Sequence, residues 1–394
     1  MLKILLYLCV AILSLGQFSI LIKTQSGGFY LFDVFITIFV FFGIITLLNS
    51  EFKFPKHSLY FYIFIFLALI GLIPSFYKLG LGDFVVSVSY ILRWVLYLTS
   101  SVVVFNMLKR KIITENTLIK LFMYSALFIS LAGFIQLIVL PDFTVLDASL
   151  GWDPHKNRLA STFFDPNFTG GYLVLCIALV LYSNTVKKFN NNQKVIFLLV
   201  PVIALILTFS RSSWAALSLV VLIHGLFKNR KLLLVFALLT FLVYFAVPRV
   251  QTRLSGITDP ADSAHFRIIS WSNTWQIAKD NLFLGTGYNT FRFAQKEYGF
   301  INPGESGGNS GAGSDSSFLL ILATTGVLGL VLFTIAFFSP LFNNLSADIK
   351  ILFLSTVIPL FVHSQFVNSI FYPQILFLWL LIFSIISYSS DKLW

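Results

Sequence analysis

The sequence predicts an all-α integral membrane protein with about twelve membrane-spanning helices. Three observations carry this. The 394 residues are 57% hydrophobic and only 11% charged, with a mean hydropathy of +0.88, a balance foreign to soluble domains. Apolar runs of roughly 18 residues or more recur along the whole chain, each long enough for a membrane helix. The runs are continuous rather than alternating with period two, which argues against barrel strands.

The apolar spans fall near 4–22, 30–48, 58–76, 84–107, 118–140, 168–186, 195–209, 212–227, 231–247, 316–339, 348–365 and 370–388. The first begins like a signal peptide, MLKILLYLCVAILSLGQ, but lacks a small-x-small cleavage site and stays apolar to about Ile22. It reads as a retained membrane helix. The two cysteines, Cys9 and Cys176, lie inside apolar runs, so neither a disulfide framework nor a Cys-based metal site is expected. The whole chain, 1–394, reads as one polytopic membrane domain.

Short loops carrying Lys53 and Lys56, Lys109, Arg110 and Lys111, Lys187, Lys188 and Lys194, and Lys228, Arg230 and Lys231 fall after even-numbered spans. By the positive-inside rule these loops are cytoplasmic, and both termini lie with them. The net charge of +11 is then mostly a topology signal, and no nucleic-acid partner is expected. The opposite, outer side receives the segment 141–167, a tight turn around Arg211, and one large loop of about 248–315 between spans nine and ten. Outer basic residues include Lys156, Arg158, Arg249, Arg253, Arg267, Lys279, Arg292 and Lys296. Long loops escape the rule; the short turn holding Arg211 does not.

That turn reads LTFSRSSWAAL (207–217). An arginine costs roughly 2.5–3.5 kcal/mol at the bilayer centre and less near the surface. The bland account is a guanidinium snorkelling to lipid headgroups. The functional account is an anion site, because guanidinium matches phosphate bidentately. Ser210, Ser212 and Ser213 add hydroxyls there, and the following helix start adds free N–H groups.

Within the large loop, Phe266, Ile269, Trp271, Trp275 and Ala278 recur at helical spacing, so 264–279 reads as an amphipathic helix. Asp262 or Ser263 can cap it. Arg267, Trp271 and Trp275 share one face; paired tryptophans suit the headgroup layer, and Arg267 meets either a lipid or a substrate phosphate. His265 lies beside them. The GTG at 285–287 is a turn without the third Gly of a nucleotide fingerprint. The low-complexity stretch GESGGNSGAG (304–313) reads as a flexible linker or a lip over a cavity. Asp315 opens the tenth span, where it is either a helix cap or a general base. Asp165-Pro166-Asn167 is a turn-and-cap signature after His155 and Arg158. No HExxH, CxxC, Walker or G-x-S-x-G motif occurs, so neither a metal nor a nucleotide cofactor is expected.

LTFSRSSW, then R-I-I-S-W-x-x-T-W-Q-I-A-K-D-N-L-F-L-G-T-G-Y-N-T-F, then S-D-S-S-F-L-x-x-L-A-x-T-G-x-x-G resembles the O-antigen ligase and O-antigen polymerase superfamily of bacterial envelope glycosyltransferases. The resemblance is firmest over about 160–330. It implies an enzyme of the cytoplasmic membrane with its active site facing outward and no cofactor. The donor would be a glycan on undecaprenyl pyrophosphate and the acceptor a second glycan, with a chain-length regulator as a further protein partner. Arg211 and Arg267 would match the arginines that hold the pyrophosphate. Many members have His-Asn where this chain has Asp315-Ser316, so Asp315 takes over as base or catalysis rests on positioning. Arg158, Ser210, Ser212, His265, Trp271 and Tyr288 are the expected substrate-binding residues, and Tyr288, Phe291 and Tyr298 are candidate sugar platforms. Polymerisation of repeat units is expected ahead of ligation. A transporter of a lipid-linked solute is the rival of another class; it would show paired charges or broken helices at mid-membrane.

Overall fold

The computed structural model describes residues 1–23, 28–48, 52–146, 154–185, 190–256, 263–301, 311 and 313–391. It is all-α apart from one small hairpin. The helices are α1 (Leu2–Ser14), α2 (Leu31–Leu48), α3 (Lys56–Leu72), α4 (Leu81–Lys109), α5 (Glu115–Val139), α6 (Pro166–Thr185), α7 (Asn191–Leu207), α8 (Arg211–Phe227), α9 (Lys231–Ala246), α10 (Pro248–Ser255), α11 (Ser263–Asp280), α12 (Phe291–Glu297), α13 (Ser317–Phe338), α14 (Ala347–His363) and α15 (Pro373–Asp391). Each expected apolar run carries a helix. Small polar side chains start them: Thr114, Asn190, Ser210, Ser316 and Ser346 each accept from a backbone N–H three residues on.

Among the described residues, seven helices are long and apolar enough to cross a membrane: α2, α3 with its extension to Tyr77, α4, α5, α6, α13 with its extension to Phe342, and α15. The bent pair α9 and α10, 95° apart, makes eight if taken as one span. About twelve were expected. The shortfall lies mainly in apolar helices shorter than a full span, α1, α7 and α8. α7 and α8 have 17 residues each, about 25 Å of helix, because the Ser210 cap divides them. α1 ends at Ser14 instead of running to Ile22. Gly16 turns to φ +53°, with its Cα packed against the carbonyl of Thr162, and Ile20–Lys23 leaves as strand β1, antiparallel to β2 (Gly28–Tyr30).

Side-chain contacts define the two ends of the bundle. At one end, Lys109 on α4 pairs with Asp391 on α15 at 2.6 Å, Lys228 after α8 pairs with Asp348 on α14, and Tyr182 on α6 donates to Glu115 on α5. This is the end with the lysine-rich loops. At the other end, Thr162 donates to the Ser14 carbonyl, Leu159 N–H to the Leu207 carbonyl, and Ser317 N–H to the Ser364 carbonyl. The starts of α6, α8 and α13 therefore meet the ends of α1, α7 and α14.

The core is aromatic, built around the fully buried Trp379, Tyr97, Phe61, Phe64 and Phe333. One buried ion pair interrupts it. Arg93 on α4 donates to both carboxylate oxygens of Asp33 on α2, at 2.9 and 2.7 Å, and to the Gly28 carbonyl at 2.8 Å. Tyr97 donates to the same carboxylate at 3.2 Å. Arg93 is a charge in the middle of an apolar span, and its bidentate partner offsets the cost of burying it. Asp33→Asn or Arg93→Met alone should destabilise the detergent-solubilised protein by about 3–5 kcal/mol, while Asp33→Leu with Arg93→Met recovers most of the loss. Thermal unfolding of the three variants checks this, and equal stability of the single variants would contradict it.

Candidate active site

Five arginines gather at the end opposite the lysine-rich loops. Arg158 comes from the segment leading into α6, Arg211 is the first residue of α8, Arg249 and Arg253 lie on α10, and Arg267 lies on α11. Arg158 donates from Nε to the Thr208 carbonyl at 2.8 Å and from a terminal nitrogen to Asn167 Oδ1 at 3.2 Å. Arg211 donates to the Arg253 carbonyl at 3.1 Å, which ties α8 to α10. Arg249 donates to the Asn157 carbonyl at 2.6 Å and lies over the Phe209 ring, 4.5 Å from its centroid. α10 is thereby fastened to both neighbours of the site.

The electrostatics join these groups. Burial, with the charges of Arg253, Arg267 and Arg249 nearby, pushes the Arg158 guanidinium down to about 9, and Asp165 opposes this. The Asp315 carboxyl is raised by burial and opposed by Arg267 and a hydrogen bond with Ser270. Asp165 is raised by burial too, against hydrogen bonds from Phe168 and Asn167 and the charges of Arg158 and Arg267. Two carboxyls and at least three guanidiniums thus share one field.

The position of Asp315 decides one open choice. Ser316, not Asp315, caps α13: its hydroxyl accepts from Leu319 N–H at 3.3 Å. Asp315 donates its own N–H to Ser270 Oγ on α11 at 3.1 Å, leaving its part-buried carboxylate free of the capping role.

α11 sets the place of Arg267. Its inward stripe is Arg267, Ser270, Trp271, Thr274, Ile277 and Ala278, and its far half packs on α13. Trp271 packs against Phe366 with the rings tilted and their centroids 5.7 Å apart. Phe266, Ile268, Ile269 and Trp275 are exposed, so Trp275 does not share the face of Arg267 and Trp271 as expected. The expected caps, Asp262 and the Ser263 side chain, and the linker 304–313 except Gly311 and Gly313, lie outside the described residues. The end of α11 is latched to a break in α13. Gly326 takes φ +68°, Val327 N–H donates to the Leu282 carbonyl at 2.7 Å, and Thr286 and Gly287 donate to the Ala323 and Thr324 carbonyls at 2.9 and 3.0 Å. Gly285 in the GTG turn sits so close that a Cβ would fall 2.2 Å from the Thr324 carbonyl carbon. A side chain at either glycine pushes the latch apart.

Five expected site residues lie elsewhere or are already engaged. Tyr288 is 6% exposed and packs in the core against Phe371, because the latch draws it inward; Phe291 is buried as well. Ser210 and Ser212 are buried, 3.1 Å apart. Ser210 donates to Asn167 Oδ1 at 2.9 Å, so these hydroxyls brace α6 against α8 rather than face the arginines. His265 is exposed beside Phe266, on the outer face of α11. Arg292 is buried apart from the cluster, in the field of Tyr90 and Asp83.

Sequence reasoning gave Asp165 and Asn167 only a capping role and singled out neither Arg253 nor His363 for the site. The capping role is real: Asp165 Oδ1 accepts from Asn167 and Phe168 N–H at 2.6 and 3.1 Å, and Pro166 opens α6. His363 ends α14 and joins Ser213 (3.1 Å) to Ser369 (2.5 Å). The signal for Asp165 was its place immediately before a helix start in a segment that already held Arg158.

A multi-pass helical membrane protein with clustered arginines and carboxyls at one end of its bundle is the class that fold and site define. Residues 196–334 match the family model described as O-Antigen ligase, which bears out the resemblance to the O-antigen ligase and polymerase superfamily. The matched segment runs from α7 into α13. It contains Arg211, Arg253, Arg267 and Asp315, and it leaves out Arg158 and Asp165. No curated protein matches the chain.

The cap assignment has a direct consequence. Ser316→Ala should lower stability by about 1 kcal/mol, and Asp315→Ala should not show this cap loss. Thermal-shift measurements on the purified variants check the contrast; the reverse order would return the cap to Asp315.

Proposed function

We propose that the protein polymerises oligosaccharide repeat units carried on undecaprenyl pyrophosphate, at the outer face of a bacterial cytoplasmic membrane. The observation that carries this is the arginine cluster beside Asp315 at the bundle end away from the lysine-rich loops. Those loops mark the cytoplasmic side by the positive-inside rule. Both the start of α1 and the end of α15 lie with them, and the segment 248–315 faces outward.

In the proposed step the acceptor hydroxyl oxygen attacks the anomeric carbon of the donor. The bond from that carbon to the pyrophosphate oxygen breaks, and the lipid pyrophosphate leaves with the electron pair. Arg211 and Arg267 bind the leaving group and neutralise its growing charge, which fixed guanidiniums do well in a partly dry site. The Asp315 carboxylate takes the hydroxyl proton. Arg158 supports the site from behind: it donates to Thr208 and Asn167, so it holds those segments and adds positive potential. Membrane lipids surround the bundle and admit the polyprenyl tail.

Ligation of the lipid-linked glycan to a lipid A core or similar acceptor is the second reading, favoured by the O-Antigen ligase description of the matched family. It uses the same donor half of the site. Against transport, the Arg93–Asp33 pair is saturated by hydrogen bonds from Arg93 and Tyr97, which suits a fixed strut more than a path for solute.

Arg211→Ala and Arg267→Ala should each abolish long-chain glycan while single repeat units accumulate, at unchanged protein levels. Electrophoresis of lipid-linked and surface glycan checks this, and normal polymer from Arg211→Ala would remove its pyrophosphate role. Accumulated long unattached chains in a deletion strain would select the ligase. Activity should fall on acidification through a pKa above the ordinary carboxylate value of about 4, because burial raises Asp315 and the base must be ionised. Asp315→Asn should lose most activity together with that acid limb in an in vitro transfer assay.

A further inference from the structure

Three fully buried polar side chains, Ser213, His363 and Ser369, stand behind the arginines and take no part in the bond-making of the transfer step. His363, the last residue of α14, lies 3.1 Å through Nε2 from Ser213 Oγ on α8 and 2.5 Å through Nδ1 from Ser369 Oγ. Whichever nitrogen carries the proton, the neutral ring offers one donor and one acceptor, and each meets a hydroxyl. A side chain that only closed the end of α14 would bond within its own segment. This ring also reaches α8, along which α14 packs.

The space for the contact is built in. A Cβ on Gly170 of α6 would fall 2.2 Å from Ser213 Oγ, and one on Gly171 would fall 2.9 Å from His363 Cε1. Two consecutive glycines let α6 close on the pair and leave it little room to shift. The contact also leads to the arginines. Ser213 Oγ lies 3.0 Å from the Oγ of Ser210, the N-cap of α8, and Ser210 donates to Asn167 Oδ1, which also accepts from Arg158. Arg211 is the first residue of α8 and Ser213 the third. At 3.6 residues per turn their side chains leave the helix about 200° apart. Ser213 is buried against α6 and α14, while Arg211 points to α10 and donates to the Arg253 carbonyl. A pin on one side of a helix sets its rotation, and a rotation of α8 swings Arg211.

We propose that His363 is a positioning residue for the transfer: through Ser213 it fixes the rotation of the first turn of α8 and so aims Arg211 at the donor pyrophosphate. His363 itself touches no substrate. The proposal rests on the pyrophosphate reading of Arg211. His363 lies beyond the segment 196–334 that the family match covers.

The test is isothermal titration calorimetry of inorganic pyrophosphate into the full chain in phosphatidylcholine nanodiscs. The wild type should bind, and Arg211→Ala should weaken binding by about tenfold or more. In His363→Asn the shorter amide takes the place of Nδ1, which keeps Ser369 and loses Ser213; in His363→Gln the longer amide takes the place of Nε2 and keeps Ser213. His363→Asn should weaken binding by about tenfold, and His363→Gln should stay within about twofold of wild type. Ser213→Ala removes the pin from the other side, leaves the Ser210 cap in place, and should match His363→Asn. In an Arg211→Ala background, His363→Asn should weaken binding no further, because the two act through one group. A merely structural role would lower the melting temperature or the binding stoichiometry and leave the dissociation constant unchanged. Wild-type affinity in His363→Asn or Ser213→Ala, equal losses in the Asn and Gln variants, or an added loss in the double variant overturns the proposal. The pyrophosphate reading fails on its own result: no binding by the wild type, or full binding by Arg211→Ala, removes it, whereas a loss in Arg211→Ala with none in His363→Asn removes only the positioning role.

Discussion

The guanidinium of Arg158 is the contact on which the site depends. It reaches the carbonyl that ends α7 and the amide that begins α6, and so fixes two helix ends from a segment outside both. A helix end in or near a membrane leaves backbone groups that water cannot freely satisfy, so each must find a protein partner. Arg158, Asn167, Ser210, Ser213 and His363 supply those partners in one connected set. The set brings the turn before α8, and with it Arg211, to a defined place.

That constraint propagates outward. Arg211 and Arg249 anchor α10, and the hydrogen bonds between the 282–287 segment and the break in α13 anchor the end of α11. Arg267 lies on α11 between these supports, close enough for its charge to act on Asp165 and Asp315. The loop that carries half of the site is therefore fastened at both of its described flanks. The cost of placing like charges together is visible in Arg158, whose protonation is weakened by burial and by its neighbours. A site that tolerates such repulsion when empty gains from an anion that relieves it.

The sequence by itself determined the helical membrane class, the apolar segments, the sidedness signal in the lysines, and most of the arginines that matter. Those depend on local composition and on periodicity, which a chain carries in its order. It also located the Asp165 cap, since a cap involves residues only two or three apart. Tertiary structure alone decided that Ser316 frees Asp315 from capping, that Arg93 has a partner sixty positions away in Asp33, and that Tyr288 is core while Phe18 is exposed. It also shortened α1. Each of these turns on which helix ends meet in space, and hydropathy along a chain holds no record of which distant groups will satisfy one another.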